Sequence, residues 1–394
     1  MTTSAMPDPV PLLDIDLFAD ASLRNPSADY RALREAGPLV RLRRPDVFAI
    51  GRFADVQAAL RDAARLISGE GVGFSDTFNA LKGNNVLQSD GDLHRRMRAT
   101  VMKPLTPARL AGARAGLKEL VAARVAALAG SGEFEAMTAL ASFLPVQAVS
   151  HLVGLPEAGR ERMLEWAAAA FNTIGPRQDP TDVSSLRNAF AFMSSLNPET
   201  VRDGSWAAEL FGAVGTGKLS MPEAMGAISA YIVPSLDTTI LAKGHLLYNL
   251  ARHPEQWARL RERPGMIPAA VLEGVRHSSV LRWFSRVAAT DYPVGDAVVP
   301  KGARIMLLYG CANRDERHYT DPDRFDIARD ARDHLAWGTG PHMCAGMNLA
   351  RIEMEILLEA LVEAQAELKS GEPKPGTNAG LYGFAALPFE ITVQ

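Results

Sequence analysis

Along most of this 394-residue chain, apolar residues recur at the three-to-four-residue interval of a helix; they alternate as in a strand over only a few short stretches. The run from Ala28 to Ala36, capped at Ser27 and closed by Gly37, predicts a short helix. Leu39 to Arg43 and Val47 to Gly51 predict a hairpin across Arg44-Pro45-Asp46, and Phe53 to Asp62 a second helix. Leu66 to Gln88, rich in Gly, Ser and Asn, predicts a long loop, of a length usually tied to function. From Asp92 to about Phe211 helical periods follow one another, interrupted at Gly130-Ser131-Gly132, Gly154-Leu155-Pro156, Gly175-Pro176 and Asn197-Pro198. The second half predicts one very long helix, a shorter one, a few strands and a last amphipathic helix. There is no internal repeat. The pattern is that of a mainly α fold with a minor β part, read as a single domain over 1–394 with a flexible segment at 1–13.

The very long helix starts at a capping box, Ser220 with Glu223, and should run to about Arg252 before His253-Pro254, roughly 45 Å at 1.5 Å per residue. Pro234 lies near its middle. Having no N–H, it leaves the carbonyl of Ala230 without a partner and predicts a kink, with Asp237 and Thr238 beside it.

Composition narrows the function classes. Hydrophobic residues at 47% supply a sizeable core, and a net charge of -3 argues against general nucleic-acid binding. Two cysteines, Cys311 and Cys344, give no disulfide framework and suit a reducing cytoplasm. The N-terminus reads as neither signal peptide nor anchor, and no 18 uncharged apolar residues run together, which predicts no membrane span. Gly212 to Lys218 imitates a phosphate-binding loop, but Leu219 stands where Ser or Thr is required and a helix, not a strand, precedes it.

The distinctive stretch is His334 to Gly346, H-L-A-W-G-T-G-P-H-M-C-A-G. An amphipathic helix is predicted directly after it, Ala345 to Leu361, with Met347, Leu349, Ala350, Ile352, Leu357 and Leu361 on one side and Arg351, Glu355 and Glu359 on the other. Cys344 therefore sits at a helix N-terminus, where the dipole and free N–H groups favour the thiolate. Gly338, Gly340 and Gly346 permit positive φ and let a flat ligand approach the backbone. A thiolate so placed is a good axial ligand for haem iron.

Trp337-x-x-Gly340-x-His342-x-Cys344-x-Gly346 resembles the cysteine-ligand loop of the cytochrome P-450 monooxygenases. That resemblance implies the P-450 fold, haem b held between the long kinked helix and the cysteine-loop helix, and Cys344 as the metal ligand. It implies His94, Arg98, Arg286 and His342 as partners of the haem carboxylates, with Gly346 completing the cofactor site. Asp237 and Thr238 match the acid-alcohol pair that passes protons toward oxygen, although Pro234-Ser235 replaces the family's usual small pair. Glu273-x-x-Arg276, completed by Arg324 of D-P-D-R-F-D, matches a buried structural triad. The implied activity inserts one oxygen atom of O2 into a small organic substrate. NAD(P)H electrons would arrive indirectly, through a reductase and an iron-sulfur ferredoxin, since the chain holds no flavin or iron-sulfur domain. Arg95, Arg96 and Lys103 are candidates for the surface that meets that ferredoxin. A peroxide-driven haem enzyme and a non-catalytic haem-thiolate sensor are the alternatives.

Gly71 to Asp76 and Phe171 to Pro176 resemble the bacterial subgroup that oxidises para-substituted benzoates. Phe74, Phe171, Ile174, Val233, Val280, Trp283 and Phe384 would form a compact apolar pocket. Where those relatives hold the carboxylate with an arginine and an Arg-Ser pair, this chain has Glu70, Ser229 and Ala230. The expectation is a neutral small aromatic, such as a methoxyphenol, that is hydroxylated or O-demethylated, because a buried carboxylate without a cation costs several kcal/mol.

Overall fold

The computed structural model describes residues 10–80, 85–157 and 160–393. Helices make up most of the described chain, and a six-stranded mixed sheet lies to one side. Its strands run in the order Leu12–Asp16, Val40–Arg44, Asp46–Ile50, Arg304–Leu308, Trp283–Ala288 and Leu66–Ile67. The expected hairpin supplies its second and third strands, with Val40 opposite Ala49 and Leu42 opposite Val47. The alternation of the sequence explains this register, since Val40, Leu42, Val47 and Ala49 are all buried.

Three expectations need correction. The strand Leu12–Asp16 begins inside the segment read as flexible, because it pairs in parallel with Val40–Arg44; residues 1–9 lie outside the described residues. The long loop contains the strand Leu66–Ile67 and a one-turn helix, Asp76–Asn79, whose cap is the Ser75 hydroxyl accepting from the Phe78 N–H; 81–84 lie outside the described residues. The very long helix is two helices, Met221–Ile232 and Asp237–Arg252. The capping box at Ser220 and Glu223 is formed as expected. Through the break, Met221–Arg252 is long and apolar enough by composition to cross a bilayer, with a mean hydropathy of 1.3 over its best window. Here it is a spine of the core instead. Ala224, Ala227, Ile228, Tyr231, Leu246, Leu247 and Leu250 are buried in the largest apolar cluster.

That cluster also takes in the helix Met347–Glu363, which packs along Pro107–Leu128. Polar pairs fix its outer face: Arg114 is bidentate to Glu359 at 2.6 and 3.2 Å, and Lys118 meets Glu363 at 2.6 Å. Inside, Lys243 and Glu353 form an ion pair at 2.8 Å with both side chains buried. It ties the second half of the broken helix to the helix that follows the cysteine loop.

Candidate active site

The cysteine loop is held by its own backbone. The Cys344 N–H donates to the Trp337 carbonyl at 2.8 Å and the Met343 N–H to Gly340 at 3.1 Å. Gly338 and Gly340 take φ of 67° and 73°, and a Cβ on Gly340 would lie 2.6 Å from the Leu60 carbonyl oxygen, so no other residue fits there. Gly346 differs from the expectation. Its φ is −81°, and a Cβ on it would meet nothing within 4 Å, so what it provides is open space beside Cys344. The helix starts at Met347, two residues later than the pattern predicts. The expected preference of Cys344 for the thiolate is also corrected. Burial pushes the thiol up, and the opposing pull of the Gly346 and Met347 N–H groups and of Arg98 does not overcome it. A coordinating metal cation would deprotonate it outright.

The helix Gly91–Met102 brings His94 and Arg98 toward this loop. The rings of His94 and His342 lie 4.1 Å apart, and His94 Nε2 is buried with no hydrogen-bond partner among the described residues. Burial, then the neighbouring His342 and Arg98, hold His94 down at about 4, and burial lowers His342 as well, so both rings are neutral at pH 7. Burial likewise lowers Arg98, whose guanidinium makes no hydrogen bond or ion pair among the described residues. Arg286 is buried and donates to the Ser285 carbonyl at 2.8 Å. Against these two guanidiniums and two imidazoles stands one carboxylate among the described residues, Asp90, 3.7 Å from His342 Nε2. Sequence reasoning missed it, although it precedes His94 by one helical turn. It also accepts from the Ser68 and Gly69 N–H groups at 3.0 and 2.6 Å, anchoring the loop. An unpartnered imidazole nitrogen, an unpaired guanidinium and open space beside a cysteine suit a flat ligand with two carboxylates, as haem b is.

Glu273 and Arg276 form a bidentate pair at 2.6 and 2.9 Å with no solvent exposure. The third member is Arg329, not Arg324. The chain turns at Asp321, with φ 47°, which leaves Arg324 exposed; Arg329 reaches back to Glu273 at 3.3 Å and to the carbonyls of Thr320 and Asp321 at 2.8 and 3.0 Å. Arg276 also donates to the carbonyls of Asn313 and Pro322 at 2.8 and 3.0 Å. Asn313 in turn accepts from the Leu335 N–H at 2.7 Å, so the network ends at the start of the cysteine loop.

At the break, the Ser235 hydroxyl donates to the carbonyls of Tyr231 and Ile232, and Thr238 Oγ1 donates to the Pro234 carbonyl at 2.7 Å. Asp237 has no hydrogen-bond partner among the described residues, and burial alone pushes its carboxyl up to about 7. It borders a cavity of about 270 Å³.

Of the seven residues expected in a substrate pocket, Phe74, Phe171, Ile174, Val280 and Trp283 come together in one apolar cluster. Trp283 lies 4.7 Å from Phe74 and 5.5 Å from Phe18, a ring the sequence reading missed. The runs 71–76 and 171–176 meet directly, the Phe74 N–H donating to the Ile174 carbonyl at 2.8 Å. Val233 and Phe384 do not join them. Phe384 packs against His245 and Tyr248 at 4.3 and 5.2 Å, and Val233 packs into the helical core. Glu70 is exposed, near Arg304, so it brings no repulsion to the rings. Of the candidate docking cations, Arg95 pairs with Asp92 and Arg96 with Glu223 at 3.1 Å, which leaves Lys103 without an acidic partner among the described residues.

The family model for Cytochrome P450 matches residues 266–390. Cytochrome p450 CYP199A2 of Rhodopseudomonas palustris is 34% identical over 97% of this chain and 95% of its own. Cytochrome P450 107B1 of Saccharopolyspora erythraea is 30% identical over 94% of this chain and 93% of its own. Among solved structures, epothilone D-bound Cytochrome P450epoK aligns with a TM-score of 0.87 at 26% identity, covering 97% of this chain and all of that one. P450BioI, in complex with an acyl carrier protein ligated with hexadec-9Z-enoic acid, gives 0.86 at 25% identity over 94% of this chain and all of its own. Identity of that level along nearly the whole length goes with a fold that places one cysteine under an open, carboxylate-seeking slot, and the chain belongs to the cytochrome P450 family, monooxygenases that use haem b, O2 and NAD(P)H electrons passed on by redox partners.

Proposed function

We propose that the chain, acting over 1–394 as one catalytic domain in the cytoplasm, hydroxylates or O-demethylates a small neutral alkoxyarene with electrons from an iron-sulfur ferredoxin. Haem b supplies the oxygen-activating chemistry when bound. The residues of the chain do the rest. Cys344 would be the protein ligand of the haem iron, and His94, Arg98, Arg286 and His342 would hold the haem carboxylates. Glu273, Arg276 and Arg329 brace the loop from below. Thr238 would offer a hydroxyl to the proton path, and Asp237, pushed up to about 7, would give and take a proton near neutral pH. Phe74, Phe171, Ile174, Val280 and Trp283 shape a flat apolar space for the ring.

The observation that carries the substrate reading is the lack, among the described residues, of a spare cation at this cluster. Arg282 is buried beside it, but its guanidinium is spent on the carbonyls of Ser22, Leu23 and Leu381. Arg304 donates to the carbonyls of Glu70 and Gly71 and to the Ser285 hydroxyl. A carboxylate placed among the rings would meet no unpaired cation among the described residues. Titration of the ferric enzyme, followed by its Soret shift, tests this. A neutral methoxyarene should bind about tenfold or more tighter than 4-methoxybenzoate, which is 1.4 kcal/mol or more. Tighter binding and faster turnover of the benzoate would overturn the reading.

A further inference from the structure

The cavity beside Asp237 is separate from the ring cluster, and its chemistry differs. Its walls are Met137, Leu164, Ala168, Ile240, Leu241 and Phe384, and its rim carries the exposed Thr138 and Thr377. None of Phe74, Phe171, Ile174, Val280 or Trp283 lines it; Leu381, which packs with those rings, forms part of the wall between the two spaces. Among the described residues, Asp237 is the one charged residue on the lining, and no Lys, Arg or His faces it there. Beside the rim, Glu135 accepts from the N–H groups of Met137, Thr138 and Leu387 at 2.9, 2.7 and 2.9 Å, which adds a second negative charge. An apolar chamber with one uncompensated carboxyl at its wall selects for a ligand with an apolar body and a positively charged, hydrogen-donating head, because only such a ligand desolvates hydrocarbon and pairs the carboxylate together.

We propose that this cavity is a second small-molecule site, distinct from the space among the rings, that takes a small organic cation of the arylamidine or arylalkylammonium class, with Asp237 as its anionic anchor. The volume, about 270 Å³, is enough for one aromatic ring with a short cationic head. A cation bound there holds the Asp237 carboxylate in an ion pair. If Asp237 passes protons as proposed above, occupancy draws it out of that role and lowers product formed per NADH.

Benzamidine is a suitable probe, since its protonated amidinium pairs with a carboxylate and does not ligate iron. Binding to the haem-loaded enzyme is measured by calorimetry with and without a saturating neutral methoxyarene. The expected result is an affinity that the methoxyarene leaves unchanged. It should fall at least tenfold both in Ala168→Leu, which fills the chamber, and in Asp237→Asn, which removes its charge. Competition with the methoxyarene, or undiminished binding in Ala168→Leu, would overturn the site. Product per NADH is read in parallel. A fall that tracks benzamidine occupancy in wild type and is absent in Ala168→Leu supports both the site and the proton role. Binding as expected with unchanged coupling supports the site and removes Asp237 from the proton path.

Discussion

Around Glu273 every buried charge has its partners inside the protein, whereas His94 Nε2 and the Arg98 guanidinium have none among the described residues. Glu273 receives Arg276, Arg329 and the Asp326 N–H, and the remaining donors of both arginines end on backbone carbonyls. At the other cluster, among the described residues, the one carboxylate, Asp90, lies 3.7 Å from His342, and no acidic side chain pairs with Arg98 or Arg286. Both are buried and both lie beside the cysteine loop. The closed network is a brace, since nothing is left over to bind a ligand. The open one costs folding free energy that a dianionic ligand recovers.

Breaking the closed network should have the largest effect. Glu273→Ala leaves Arg276 buried and unpaired, at about 3–5 kcal/mol, and should give mostly unfolded, haem-poor protein in urea titrations and haem assays. Arg329→Ala should cost about 1–3 kcal/mol, whereas Arg324→Ala stays within about 0.5 kcal/mol. Equal losses at the two arginines would return Arg324 to the network.

The open cluster should respond the other way. Arg98→Ala removes an unmatched cation, so the haem-free protein should unfold at the same or higher urea. Haem retention should fall about tenfold to a hundredfold, the worth of one charge-assisted bond of about 1.5–3 kcal/mol. Haem transfer to apomyoglobin measures the loss. Haem-free protein as destabilised as in Glu273→Ala would erase the distinction between the clusters.

Asp237 sharpens the comparison through pH. Its carboxyl is raised from 3.8 to about 7 by burial, so its ionisation opposes the fold increasingly as pH climbs through that window. Asp237→Asn should match wild type near pH 4 and become more stable than it up to about pH 7, with the gap constant above; thermal melts across pH 4–8 read it. A modest loss of stability is expected at Thr238→Ala, about 1 kcal/mol for the hydrogen bond to Pro234. Its signature is elsewhere: substrate binding and NADH oxidation are kept, while product per NADH drops and hydrogen peroxide rises. Unchanged coupling would move the hydroxyl role to Ser235 or Thr239.

Residue order and local periodicity determined much of this protein by themselves. The hairpin at Val40–Ile50, the capping box at Ser220, the break at Pro234 and the Glu273-Arg276 pair follow from alternation, caps, a missing N–H and a three-residue helical spacing. The spacing around Cys344 was enough to name the family. Tertiary structure alone decided which distant groups meet. Arg324 and Arg329 are equivalent in sequence, and only the turn at Asp321 sends one to solvent and the other to Glu273. Phe384 looks like a neighbour of the ring cluster until the C-terminal strands carry it to His245 and Tyr248, on the wall of the cavity beside Asp237. Asp90, and the cavity beside Asp237, arise where loops separated by hundreds of residues close on one another. The physical reason is range. Caps, periods and prolines act over one or two turns of chain, whereas burial and charge pairing depend on neighbours that folding supplies from elsewhere.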